Sequence, residues 1–177
     1  EQQIALVWKL HDEPVLCFDG DKAGQKAAMR AIERILPVLE PGKSVRIAVM
    51  PTGKDPDDIL RHEGAEALKA IISTASSLTD ALWARSAEDF RLDDPTSRAA
   101  FFQHVRDLVR SIGHSQTRQA YGDEIEHRIQ SLRASLRGGA SGTASLATGK
   151  RIRRPQTGAK ARLSAMLSLL ITHPERI

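Results

Sequence analysis

The spacing of apolar positions divides the chain into stretches with different periods. Val15-Leu16-Cys17-Phe18 is a short continuous apolar run, with Pro14 before it and Asp19-Gly20-Asp21 after it. Such a run between breakers predicts a buried strand of a parallel sheet. Ala23, Ala27, Ala28, Ala31, Ile32, Ile35 and Leu36 then recur at helical spacing until Pro37 and Pro41-Gly42 interrupt the pattern. A second strand is expected over 45–50, followed by the polar loop Pro51-Thr52-Gly53-Lys54. In Asp55-Pro56 a capping acid precedes a proline at the first helical position, which predicts a short helix running to Gly64. Strand, helix, strand, helix in close succession implies right-handed crossovers and an α/β fold.

From about Ala65 the strand signal gives way to amphipathic helices, expected over 65–73, 78–90, 95–112 and 116–136. Asp94-Pro95 repeats the cap-plus-proline start, and Ala100, Phe101, Val105, Leu108, Val109 and Ile112 form one stripe. Tyr121, Ile125, Ile129, Leu132 and Leu136 form the next. Trp8, Trp83, Phe90, Phe101, Phe102 and Tyr121 read as core, because they do not interleave with a basic strand face as base-stacking platforms do. Residues 137–160 are rich in Gly, Ser, Ala and Thr with a Lys150 to Arg154 basic cluster, the composition of a flexible linker. That cluster suits either a solvated linker or contact with a nucleic-acid backbone. Residues 161–177 are expected to form an apolar helix too short to be a domain, the opening of a further one.

Composition sharpens this picture. The chain has 177 residues, 41% of them hydrophobic, enough to close a core. A single cysteine excludes an internal disulfide and a cysteine-based zinc site, and Cys17 in mid-strand is expected to be a small buried hydrophobe. No apolar run approaches the roughly 18 residues of a membrane span, so a soluble protein is expected. The net charge of +4 is an average over −3 for residues 1–80, zero for 81–136 and +7 for 137–177. The basic excess therefore says little about the α/β part.

The candidate chemistry lies in that α/β part. Asp19 and Asp21 follow a predicted strand and precede a helix, the crevice edge where open parallel sheets bind ligands. Carboxylates at i and i+2 of an extended segment point the same way and can share one cation, and oxygen ligands suit Mg²⁺ or Mn²⁺. Gly20 permits a tight backbone path, and Gly24 lets backbone approach closely in the first helical turn. Asp55, Asp57 and Asp58 follow the next strand and would lie on the same sheet edge. A solvated Asp-Gly turn and an N-capped helix start explain the acids one at a time; metal binding explains why two clusters occur together, since converging carboxylates repel one another unless neutralised.

Three ordered blocks carry a family resemblance: Val15 to Ala28, Pro51-Thr52-Gly53-Lys54-Asp55-Pro56-Asp57-Asp58, and Arg61-His62-Glu63-Gly64. They resemble the second half of the Toprim module of bacterial DnaG-type replicative primases. The resemblance implies a partial Toprim parallel sheet over 1–75, a helical subdomain of the RNA polymerase core over 76–136, the linker over 137–160 and the start of a helicase-binding domain over 161–177. It implies DNA-templated synthesis of short RNA primers from nucleoside triphosphates, with single-stranded DNA as template and the replicative helicase as partner through the C-terminal region. A cytoplasmic protein at the replication fork, monomeric and without membrane contact, is expected. Asp19 and Asp21 match the family's metal-binding and catalytic Asp-x-Asp, and Asp55 and Asp57 its second acidic pair, as ligands of Mg²⁺ or Mn²⁺. The family's Toprim glutamate, set in a Glu-Gly context, has no counterpart in Glu1 or Glu13, and its zinc belongs to an N-terminal domain that one cysteine cannot supply. The chain is therefore expected to begin inside the module and, alone, to be inactive. Two other classes fit parts of the sequence: a haloacid-dehalogenase-like phosphatase with Asp19 as nucleophile, and a non-enzymatic helicase-binding adaptor.

Overall fold

The structure, a computed structural model, describes residues 2–140, so most of the expected linker and the helix over 161–177 lie outside the described residues. In chain order the elements are α1 (Gln2–Val7), β1 (Val15–Phe18), α2 (Lys22–Ile35) with a 3-10 turn at Leu36–Val38, and β2 (Arg46–Val49). They continue as α3 (Pro56–His62), α4 (Ala65–Ser73), β3 (Ser76–Ser77), α5 (Leu78–Ala87), α6 (Pro95–Arg110) and α7 (Ser115–Ala140). Both expected strands and every expected helix within these residues form. The α/β half followed by helices is the arrangement anticipated, and α7 continues to Ala140, into the segment read as linker.

Two elements are additions. α1 and the turn after it bury Ile4 and Trp8 but leave Leu6 and Leu10 exposed, so the apolar residues face two ways and no clean period shows. β3 consists of two serines, which no apolar pattern could reveal. It makes the sheet mixed: the strand order is β1-β2-β3, with β1 parallel to β2 and β3 antiparallel to it. Arg46 stitches this corner, donating from Nε and Nη2 to the Ala75 carbonyl and from Nη2 to that of Ser73. These bonds satisfy carbonyls at the end of α4 that the helix itself leaves unpaired.

The parallel pair runs in register from Val15 opposite Arg46 to Phe18 opposite Val49, and Met50 N–H donates to the Phe18 carbonyl at 2.9 Å beyond it. β1 is not the buried strand expected. It lies at the edge of the sheet, its other residues are only half-buried, and Cys17 is exposed rather than a core hydrophobe. A continuous apolar run signals burial on both faces only for a central strand; here only one edge of β1 is paired among the described residues.

α2 lays Gly24, Ala28, Ile32 and Ile35 against β1, β2 and α5. On the sheet, Ala48, Met50, Ile59 and Ala75 form a second apolar cluster joined by Ile71 and Leu68, which anchors α3 and α4. Asp55 and Asp94 cap α3 and α6 with proline next in the helix, as anticipated, and Ser77 caps α5. In the helical layer Trp83 meets Phe101 edge-on, with centroids 4.9 Å apart at 76°. Trp83 and Phe101 are fully buried while Phe90 and Tyr121 are half-buried, so the aromatics serve as packing.

These elements belong to one compact unit, Glu1–Asp123; the rest of α7, from Glu124, belongs to a second. Within the latter, Ile125, Ile129 and Leu132 are buried and Leu136 is half-buried. No helix among the described residues is long and apolar enough to cross a membrane.

Candidate functional site

The site begins as a contact between two loops. Gly20 follows β1 and sits so close to the end of β2 that a Cβ there would lie 1.9 Å from the Pro51 carbonyl oxygen and 2.5 Å from that of Met50. Its N–H donates to the Lys54 carbonyl at 2.9 Å. Glycine is required because backbone packs on backbone with no room for a side chain. Four residues later the same requirement recurs: a Cβ on Gly24, in the first turn of α2, would lie 2.2 Å from the Asp19 carbonyl oxygen. The two glycines thus press the loop holding Asp19 and Asp21 between the start of α2 and the loop that leads to Asp55.

Each acid then has a distinct situation. Asp19 is exposed, and its carboxylate has no hydrogen bond or ion pair among the described residues. Asp21 is the N-cap of α2: its Oδ1 accepts from Gly24 N–H at 2.6 Å, leaving Oδ2. Asp55 is the N-cap of α3 in a reciprocal capping box with Asp58, accepting from Asp58 N–H at 2.7 Å while Asp58 Oδ2 accepts from Asp55 N–H at 3.3 Å. Asp57 pairs with Arg61 one turn along α3, at 2.9 Å. Lys54 pairs with Glu63 across α3, and His62 Nδ1 lies 2.9 Å from the Asp58 carbonyl.

The loops are brought together, but the four acids are not gathered into one cluster. Among the described residues no three His, Cys, Asp or Glu side chains form a group that could hold a metal ion. The oxygens at Asp19 and Asp21 nevertheless suit a hard divalent cation. One carboxylate is unengaged, the other keeps a free oxygen, and Mg²⁺ typically takes one or two protein carboxylates with waters and substrate phosphates filling the rest. Asp55 and Asp57 are occupied in local interactions, a capping box and an ion pair, that the Asp-Pro-Asp-Asp string did not reveal in full. Capping by Asp55 was legible; the Asp57–Arg61 and Lys54–Glu63 pairs were not, although the spacing of four between Asp57 and Arg61 is the signal for the first. Cys17, exposed just before the acids, keeps its thiol protonated because local desolvation pushes its pKa up, which makes it a poor nucleophile.

A strand, an acid-glycine-acid turn, a glycine-bearing helix and a second parallel strand ending in an Asp-Pro-capped helix define a Toprim-type site. The family model described as Toprim-like matches residues 1–60. The DNA primase of Rickettsia bellii is 31% identical over 121 residues, covering 68% of this chain and 20% of that protein. Among solved structures, a DNA primase domain from Pseudomonas aeruginosa superposes with a TM-score of 0.64 at 31% identity, covering 71% of this chain and 40% of that one. A DnaG primase catalytic domain bound to single-stranded DNA gives 0.61 at 30% identity, over 70% of this chain and 40% of that one. The chain belongs to the bacterial DnaG-type primase family. It spans only 11 to 30% of the length of the curated relatives it matches first. These likenesses favour neither a phosphatase nor a helicase-binding adaptor.

Proposed function

We propose that the chain is part of a DNA primase, an RNA-polymerising nucleotidyltransferase that makes primers on a single-stranded DNA template for replication in the bacterial cytoplasm. The observation that carries this reading is the close-packed pair of loops around Gly20, which presents the Asp19 and Asp21 carboxylates at the end of a parallel strand. The DnaG domain that superposes on this chain is bound to single-stranded DNA, which supports such a template here.

In this reading Asp19 and Asp21 hold Mg²⁺ or Mn²⁺, and Asp55 and Asp57 are auxiliary. Divalent cations bound there would offset the triphosphate's charge and lower the pKa of the attacking 3′-hydroxyl. The chain's own part is positional. Gly20 and Gly24 hold the Asp19 backbone fixed between two elements, so its carboxylate is presented without a large entropic cost at binding. Asp21 combines two tasks, satisfying a backbone donor of α2 with one oxygen and offering the other. Asp57 is tied to Arg61 by an exposed ion pair worth a few tenths of a kcal/mol, which a stronger cation would easily displace. We further read residues 1–75 as the second half of a Toprim domain, 76–136 as the helical subdomain, 137–160 as linker and 161–177 as the start of a helicase-binding region.

The test is a chimera in which this chain replaces the matching segment of a bacterial primase, assayed for primer synthesis on single-stranded DNA. A folded, active chimera that loses at least a hundredfold in rate with Asp19→Asn supports the proposal. A folded chimera that is inactive, or one indifferent to both Asp19→Asn and Asp21→Asn, contradicts it.

A further inference from the structure

The solvent face of α2 is a stripe of unpaired cations. Lys22, Lys26, Arg30 and Arg34 recur every fourth residue and all four are exposed. None has an ion-pair partner among the described residues. At 3.6 residues per turn each step of four advances the side chain by about 40° around the axis, so the stripe winds gently over the side of the helix opposite Gly24, Ala28, Ile32 and Ile35, its buried face. The cations are spaced roughly 6 Å apart along the axis, and from Lys22 to Arg34 the row extends about 18 Å. Glu33 is the one acid on that face.

Two features distinguish this row from an ordinary solvated helix surface. Elsewhere the exposed basic residues are commonly neutralised locally, as in Lys69–Glu66, Arg61–Asp57 and Arg110–Asp107. The row also lies in a region of the sequence whose overall charge is negative, so it is a local concentration of positive charge against the average. Its first member, Lys22, is the residue after Asp21.

We propose that this α2 stripe is a binding track for the phosphate backbone of a single-stranded nucleic acid, leading away from the Asp19/Asp21 ledge. The proposal rests on reading the ledge as a primase site. Like-charged side chains left unpaired in a row repel one another and stabilise nothing in the folded chain, whereas a polyanionic strand meets all four and releases its condensed counterions. Interactions of this kind are made to phosphates and carry no base preference.

The experiment is a fluorescence-anisotropy titration of a labelled oligo-deoxythymidine with the full chain over a series of NaCl concentrations. The stripe variant K22Q/K26Q/R30Q/R34Q is compared with a charge-matched control, K9Q/K69Q/R91Q/R110Q. Each phosphate of a single strand that is no longer neutralised lowers the log–log salt slope by about 0.7, so the slope of the stripe variant should fall by about 3 and its binding should weaken at least tenfold. The control should change affinity by less than threefold. R30Q/R34Q, a milder change, should remove about half of that slope and decides the matter if the fourfold variant loses its helical circular dichroism. Equal effects of stripe and control variants, no binding by the unmodified chain, or stripe dependence seen only with phosphatidylserine vesicles would overturn the proposal. Mn²⁺ titration of the same proteins separates the two readings. A stripe that fails beside an intact Asp19-dependent Mn²⁺ site refutes the track alone, and a missing Mn²⁺ site refutes the primase reading of the ledge.

Discussion

The ledge around Gly20 and the helical layer of α5 and α6 are held by opposite means. On the ledge, backbone lies against backbone: two positions exclude any Cβ, and the side chains beside them face solvent. In the helical layer the backbones stand apart and the fit is made by Leu82, Trp83, Phe101 and Val105, all buried. Function and stability are therefore separable on the ledge. A carboxylate on the ledge can be exchanged at little cost to folding, whereas its glycines cannot; in the layer, side-chain volume is the quantity that matters.

The largest effects should come from exchanging the two means of packing. Phe101→Ala removes a fully buried ring that packs against Trp83 and Phe90 and should cost about 3–5 kcal/mol in urea denaturation. Gly20→Ala adds only a methyl, yet that methyl meets a carbonyl oxygen at 1.9 Å. We expect a loss of about 3 kcal/mol, at the upper end for overpacking, which requires the two loops to part. If Gly20→Ala were neutral, the backbone packing would not be what orders the ledge.

Smaller effects separate the tasks of the acids. Asp21→Ala should cost about 1 kcal/mol, the usual worth of an N-cap, while Asp21→Ser keeps a capping oxygen and should recover most of it without restoring a carboxylate. Asp57→Ala removes only an exposed pair one helical turn apart, and denaturation should detect no more than a few tenths of a kcal/mol.

The smallest effect concerns Tyr121, the only tyrosine in the chain. Burial pushes its phenol above the usual value of 10, an effect partly offset by the nearby Thr79 and Ser44 side chains. In the unfolded chain the phenol ionises first, so this group's contribution to stability is complete below pH 10 and disappears as the pH rises through the folded value. Near-ultraviolet titration should show the delayed ionisation, and Tyr121→Phe should abolish that part of the alkaline loss of stability.

How far the sequence foretold the molecule differs between the same two regions. The helices from Ala65 onward were legible because their apolar stripes and their caps, such as Asp94-Pro95, are local signals that packing reinforces. β3 was not, because two serines pair with β2 for reasons that lie in Arg46 and the end of α4. The exposure of Cys17 was missed because a strand's place in the sheet order is a tertiary property. On the ledge, the residue types Asp-Gly-Asp and the need for Gly24 were legible, while the partners that make Gly20 necessary, Pro51 and Lys54, lie some thirty residues away and only the fold discloses them.

Asp19 and Asp21 are proposed to share a divalent cation on a ledge whose order does not depend on their charge. Isothermal titration of the full chain with Mn²⁺, beside urea denaturation of the same samples, tests it directly. The expected result is a Mn²⁺ site weakened at least tenfold by Asp19→Asn and by Asp21→Ser, with the denaturation midpoint of Asp19→Asn unchanged. No Mn²⁺ binding by the unmodified chain, or binding untouched by both substitutions, would contradict it.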